Sequence, residues 1–283
     1  MSVTLASDNY GKSAIRLVKV VRDGARHHLH DYTVAVTCEG QFAATHVDGD
    51  NSVVLPTDTM KNTVYAFARL HDVRPPERFA ARLAAHFLDA SPEATRATVE
   101  IAVHGWQRLE VDGRAHDTAF ERGSDEARLC TVADTRGDGA LVEAGVRDLV
   151  VLRTAGSAFS GYPRDQYTTL KETRDRIFAT AVSARWRYDR LVADPDAAFA
   201  AVRRALVATF ANHASESVQH TLYAMGASAL AAVDAVVEIR LSLPNKHHLL
   251  VDLSAFKLDN PNEVFVATTE PYGLIEATLR RGA

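Results

Sequence analysis

Between residues 14 and 21 the chain alternates. Ile15, Leu17, Lys19 and Val21 fall on one side, and Arg16, Val18 and Val20 on the other. A period of two predicts a strand with one buried face. Asp23-Gly24 is a hairpin-turn dipeptide, and a second strand is expected through Tyr32, Val34 and Val36. After Glu39-Gly40 a further strand-like stretch runs to Leu55. The period then changes. Residues 58–70 read as a helix with Asp58 or Thr59 as its N-cap. A second helix starts after Pro75-Pro76, since proline suits a first helical turn. Its apolar face is Phe79, Leu83 and Phe87, and Ser91-Pro92 ends it. Strands are expected at 99–111, 126–132 and 140–154, with a turn at Asp112-Gly113.

The second half repeats this order. Strands at 146–154 and 180–190 precede a helix opened by Asp194-Pro195, with Phe199, Val202, Leu206 and Phe210 on one face. Ser215 or Ser217 caps another helix, whose inward positions are Val218, Leu222, Met225 and Ala229. Strands at 236–242, 248–253, 263–267 and 273–280 close the chain. Val99-Glu100-Ile101 and Val237-Glu238-Ile239 each follow a helix pair and precede a strand pair. A duplication of this kind governs the whole fold. The expectation is an α+β protein of two modules, 1–140 and 141–283, each an antiparallel sheet backed by two helices. A sheet covered on one face leaves edges that need a partner, so an oligomer is expected.

Composition narrows the function classes. Among 283 residues the net charge is −4, with both signs interspersed, which argues against the basic stripe of a nucleic-acid binder. The two cysteines, Cys38 and Cys130, stand in unrelated contexts and give neither a disulfide framework nor a zinc motif. No apolar run approaches a membrane span, the first thirty residues lack a signal core, and the last four, Arg280-Arg281-Gly282-Ala283, are no peroxisomal address. A cytoplasmic protein is expected. There is no Gly-x-Gly-x-x-Gly fingerprint, phosphate loop or nucleophile elbow.

One stretch breaks the pattern. Ser242-Leu243-Pro244-Asn245-Lys246-His247-His248-Leu249 lies between two β-prone runs. Proline within a strand pattern demotes it to an edge or a bulge. The stretch reads as a strand, a break presenting Asn245 and His247, and a strand resuming; alternation would turn Lys246 and His248 to the opposite face. On these residues alone, a polar bulge at a sheet edge fits as well as a site.

Leu243-Pro244-Asn245-Lys246-His247 resembles the signature of the urate oxidase (uricase) family. So do Tyr10-Gly11-Lys12, Arg16-Leu17-Val18-Lys19-Val20, Thr57-Asp58-Thr59 and Lys61-Asn62-Thr63. The densest match runs from Phe159 through Gly161, Arg164-Asp165, Tyr167-Thr168-Thr169-Leu170 and Glu172-Thr173 to Asp175-Arg176-Ile177. Ser217-Val218-Gln219 and Gly273-Leu274-Ile275 follow. The blocks stand in family order along nearly the whole chain. The resemblance implies the duplicated tunnelling fold, with sheets of several subunits joined into an oligomeric barrel. It implies a homotetramer, a dimer of dimers, with active sites shared between subunits. The implied reaction is oxidation of urate by O2 to 5-hydroxyisourate with release of H2O2, without cofactor or metal.

The resemblance also carries roles. Arg176 grips the flat purine anion, as a planar guanidinium suits paired acceptors; read alone it is a surface ion-pair partner. Gln219 offers a donor and an acceptor at the opposite end of the substrate, and Val218 a backbone N–H. Phe159 is a stacking surface, or otherwise plain core. Thr57 and Asp58 present backbone N–H groups, or otherwise cap a helix. Lys12 is the base, acting through the Thr57 hydroxyl with His247 as third member of the relay. A lysine must lose its proton for that, which burial or a nearby cation favours. Asn245 and Thr57 form a small polar pocket for dioxygen or water above the ring, and Ile275 lines one wall. His116-Asp117-Thr118-Ala119-Phe120 departs from a family loop that usually carries a second histidine. Two rivals remain. His27, His28 and His30 suggest metal ligands and hence a zinc-dependent pterin enzyme of the same fold, but no motif places a third ligand beside His28 and His30. A non-catalytic purine binder would keep Arg176, Gln219 and Phe159 but lose the base, whereas Lys12, Thr57, Asn245 and His247 are all retained.

Overall fold

The computed structural model describes residues 3–268 and 270–282, so Ala283 of the C-terminal tetrapeptide lies outside the described residues. They fall into two compact units, one running to residue 145 together with 187–196, the other comprising 146–186 and the rest of the chain from 197. The fold is α+β and its sheets are antiparallel wherever pairing is described.

The first part of the chain supplies β1 (Tyr10–Asp23), β2 (Arg26–Gly40), α1 (Ala43–Val47), α2 (Thr57–Leu70), α3 (Pro76–Ala90), β3 (Ala94–Val111) and β4 (Arg114–Thr135). The strands pair in the order β1-β2-β3-β4. The predicted β1–β2 hairpin is present, with Gly24 at φ +56°. Its alternation holds: Ile15 and Leu17 are buried, whereas Val18 is 58% exposed. The stretch 41–55 is not a strand. Its backbone is satisfied locally: the Thr45 hydroxyl donates to the Asp50 carbonyl at 2.8 Å and the Ser52 N–H to the Asp50 carboxylate at 2.9 Å. Asp and Ser side chains compete with ladders in this way, and α1 takes the place of the expected pairing.

Helix α2 starts one residue earlier than expected. Pro56 is its N-cap, with no side-chain cap. Asp58 stands inside the first turn rather than at the cap position, and its carboxylate accepts from Lys61 and, at 3.0 Å, from Asn62. Helix α3 begins on Pro76 and buries Phe79, Leu83 and Phe87. Its first turn carries Glu77, fully buried and gripped by Arg128 with both oxygens at 2.8 Å. Arg128 also meets Asp196, as does Arg74 at 2.6 Å. Breaking such a buried pair strands a charge, so Glu77 and Arg128 must be kept together.

The remainder supplies β5 (Gly139–Arg153), β6 (Phe178–Tyr188), α4 (Pro195–Asn212), α5 (Val218–Ala232), β7 (Val236–Asn245), β8 (His248–Leu250), β9 (Phe265–Ala267) and β10 (Gly273–Arg280). The order in the second unit is β5-β6-β7-β10, with β8 and β9 as a separate pair. Val202, Leu206 and Phe210 of α4 are buried, as are Val218, Leu222, Met225 and Ala229 of α5. Of the two candidate caps of α5, Ser217 is the one, its hydroxyl accepting the His220 N–H at 3.1 Å. Gly226 lets α5 lie close on the sheet, because a Cβ there would stand 2.8 Å from Leu279.

Two expectations around Pro244 need correction. Pro244 is not on an edge strand: β7 runs between β6 and β10. It is tolerated because the ladder ends one residue later, at Asn245. Nor does the strand alternation continue through Lys246 and His248. The chain leaves the main sheet after Asn245, and β8 pairs with β9 instead.

Candidate active site

The site of the second unit is built first by a loop. Phe159 and Thr173 pair through their backbones, at 2.8 Å and 3.1 Å. The chain between them is stiffened by its own side chains. The Asp165 carboxylate accepts from the Thr168 hydroxyl at 2.8 Å and the Tyr167 N–H at 3.0 Å, and these bonds hold its pKa below the usual carboxylate range. Glu172 accepts the Gly161 N–H at 3.1 Å. Beyond the loop, Asp175 ties back to the Gly156 N–H at 2.7 Å. The densest motif in the sequence is thus a loop whose polar residues bond to one another and so deliver Phe159 and Arg176 to one place.

That place is a cavity of about 300 Å³ within the second unit, the small end of the range for ligand clefts. Phe159, Arg176, Val218 and Gln219 line it from the loop and from the first turn of α5. Asn245, His247 and Ile275 line it from the ends of β7 and β10 and the chain between β7 and β8. The Arg176 guanidinium stands 5.4 Å from the Phe159 ring centre. It is half-buried, burial pulls its pKa below the ordinary value, and no carboxylate pairs with it among the described residues. A charge held so, beside an aromatic face, selects a flat anion. The leading N–H groups of α5 have no partners inside the helix, which adds donors at the same mouth. Asn245 Nδ2 lies 3.5 Å from His247 Nδ1. His247 is fixed through its carbonyl, which accepts from the Thr268 N–H at 2.9 Å and its hydroxyl at 3.3 Å.

Lys12, Thr57 and Asp58 belong to the first unit. Lys12 precedes a bulge of β1, where the register breaks before Ile15 and Ala14 takes φ +56°. Bulges re-aim side chains in this way. Gly11 is obligatory beside it, since a Cβ would come within 2.0 Å of the Val36 carbonyl oxygen. Thr57 and Asp58 are exposed on the first turn of α2. The Asp58 carboxyl is held below its ordinary range, chiefly by the hydrogen bond and charge of Lys61, with a smaller pull from Lys12. Lys12 and Asp58 are therefore neighbours in charge.

Sequence reasoning missed His248, Leu170, Thr173 and Leu249, which also line the cavity, and Thr268, which holds His247. His248 was missed because the alternation that excluded it stops at Asn245. Nothing in the sequence marks Thr268, which reaches His247 only through the β8–β9 pairing. Cys38 and Cys130 are both buried and unbridged, and burial pushes the Cys38 thiol up to about 11. Burial also lowers the His30 pKa, helped by Arg74 and Lys19. Among the described residues no group of three or more His, Cys, Asp or Glu is placed to hold a metal ion.

A sequence model of the uricase family matches residues 8–133 and 142–276. A uricase of Arthrobacter globiformis is 47% identical over 279 residues, covering 99% of this chain and 90% of that protein. A uricase of Aspergillus flavus is 37% identical, covering 97% of this chain and 96% of its own length. The crystal structure of the A. globiformis uricase superposes with a TM-score of 0.94 at 46% identity, covering 99% of this chain and 96% of that one. Urate oxidase from Bacillus sp. TB-90, at 19% identity and a TM-score of 0.84 over 97% of this chain and all of that one, is similar in fold.

Proposed function

The chain belongs to the uricase family and is a urate oxidase, and from that premise we propose how its residues divide the work. Urate lies flat on Phe159. Arg176 takes two of its acceptors, Gln219 its opposite end, and the Val218 N–H a further acceptor. The N–H groups of Thr57 and Asp58 close the remaining edge. Lys12 removes a proton through the Thr57 hydroxyl, with His247 completing the relay. Asn245 and Thr57 hold dioxygen over the ring, and Ile275 walls the pocket.

The electron-rich urate dianion hands electrons to dioxygen one at a time, which meets the spin restriction on ground-state O2. Urate loses two electrons and two protons in all, O2 gains them as H2O2, and water adds to the oxidised ring to give 5-hydroxyisourate. The substrate thereby takes the part that a flavin or metal plays elsewhere, and the reaction proceeds without either. The observation that carries this reading is Arg176: half-buried, without a carboxylate partner among the described residues, and 5.4 Å from the Phe159 ring centre in a cavity of about 300 Å³. The test is consumption of urate and O2, with peroxide formed, after exhaustive chelation and with no flavin absorbance. Activity that vanishes on chelation and returns with zinc would replace this reading with the pterin one.

The same proposal includes assembly. β1 pairs only with β2 and β10 only with β7 in the described sheet, leaving two open edges. Val18, Val20 and Val21 of β1 are exposed. Bare edges of this kind are covered in stable proteins. We place Lys12, Thr57 and Asp58 of one subunit over the cavity of another, in a dimer with two identical sites, two dimers making a tetramer. No helix among the described residues is long and apolar enough to cross a membrane, and the enzyme's place in this reading is the cytoplasm.

A further inference from the structure

The loop that delivers Phe159 also carries a second ring. Tyr162 stacks on Phe159, with centroids 4.8 Å apart and planes 15° from parallel. The cavity is lined by Phe159 and Arg176 but not by Tyr162. Two devices hold Tyr162 there. Its hydroxyl donates to the Leu170 carbonyl at 2.7 Å, tying the outgoing limb of the loop to the returning one. Gly161, at φ +72°, turns the chain back so that a residue three positions on lies over Phe159; residues other than glycine rarely take that backbone. The Arg164 guanidinium in turn stands 5.6 Å from the Tyr162 ring centre.

We infer that Tyr162 is a positioning residue for urate binding, one that sets the plane of the Phe159 platform from behind and never touches the substrate. The inference rests on the reading of Phe159 as that platform. The physical reason is geometric. A phenyl ring in a half-open cavity turns about its last torsion with little restraint, because such sp³–sp² torsions are broad. Stacking on an anchored neighbour removes that freedom before the ligand arrives, so the cost of ordering is not met on binding. Arg176 stands over the same ring, so a tilt of Phe159 also spoils the angle between platform and guanidinium.

The test compares Tyr162→Leu, Tyr162→Phe and Phe159→Leu. Urate binding is measured by calorimetry without oxygen, turnover with oxygen, and melting temperature on each protein. An aromatic pair contributes enough to change affinity by roughly two- to tenfold. Tyr162→Leu is expected to weaken urate binding and raise KM by that factor while kcat stays within about twofold. Tyr162→Phe keeps the stacked ring but loses the hydroxyl tie to Leu170, and its binding is expected to fall between the wild type and Tyr162→Leu; binding as weak as that of Tyr162→Leu would assign the effect to the tie and overturn the stacking argument. If Tyr162→Leu melts lower, all titrations are run below the lower transition, where every variant is folded. Wild-type binding by Tyr162→Leu beside weakened binding by Phe159→Leu overturns the inference and leaves the platform standing. Wild-type binding by Phe159→Leu overturns the platform, and the inference with it. A fall in kcat without change in binding also overturns it, since Tyr162 would then act on the chemistry.

Discussion

The two groups of proposed site residues are built in opposite ways. In the second unit the cavity exists within a single chain. Its wall is a loop that hydrogen-bonds to itself, a capped helix and the end of a strand, and each places a residue against the others. In the first unit Lys12 sits by a bulge of an outer strand, and Thr57 and Asp58 lie exposed on a helix tip. The first arrangement is preorganised for binding. The second offers an amine, a hydroxyl and the first backbone N–H groups of a helix. Binding machinery needs a fixed shape, whereas a base needs only the right partner brought to it, and on our proposal that partner is another subunit.

The comparison can be broken by substitution. Lys12→Ala carries the largest expected effect. General-base catalysis contributes roughly 10²–10⁴-fold, so kcat should drop by that order while anaerobic urate binding holds within about threefold. Full turnover in this variant would remove the first unit from the chemistry. Arg176→Ala comes next and has the opposite signature. A hydrogen bond to a charged group contributes about 1.5–3 kcal/mol, so binding should weaken tenfold or more. Arg176→Lys should recover little, since it keeps the charge and loses the fork.

Mixing the two variants under conditions that exchange subunits, and assaying at urate well below the KM of Arg176→Ala so that each parent turns over little, joins the comparisons. Shared sites predict mixed dimers with one doubly damaged and one intact site, and random mixing then restores about a quarter of wild-type activity. If mass measurement confirms mixed dimers and activity stays at the level of the parents, each site is built within one chain.

The smallest effect concerns acid. His213 packs against His220, ring centres 4.3 Å apart, near the start of α5, and its Nδ1 lies 3.3 Å from the Thr221 hydroxyl. Burial, then His220 and Arg153, lowers its pKa from the ordinary 6.5. The unfolded chain then binds the proton more readily than the folded one. Stability is therefore highest above the unfolded value and declines as pH falls below 6.5 toward the folded value. His213→Gln should flatten that decline by about 1–3 °C in melting temperature between neutral and mildly acid pH. An unchanged profile would show that the pair does not sense pH. His30 in the first unit is shifted the same way and should leave a residual slope.

Much was legible in the sequence because the relevant physics is local. The period of two in β1, the spacing of Phe79, Leu83 and Phe87, the turn at Asp112-Gly113 and the Ser217 cap each depend on neighbours a few residues away. The ordered motifs then carried the family. Where side chains bond their own backbone, as in 41–55, the same local reading failed: pattern alone does not tell whether an apolar residue pairs in a ladder or packs beside a turn. Pro244 and His248 failed for a longer-range reason. Whether a strand is an edge, and where it leaves its sheet, is fixed by the strands on either side, which arrive from residues 178–188 and 273–280. The sequence by itself determined the repeated elements, the family and the kinds of residue needed for a purine anion. Only the tertiary structure decided that a self-bonded loop brings Phe159 and Arg176 together, that Tyr162 stacks on Phe159, and that His248 joins the cavity. Those contacts come from loop closure and strand order, and no short-range pattern encodes either.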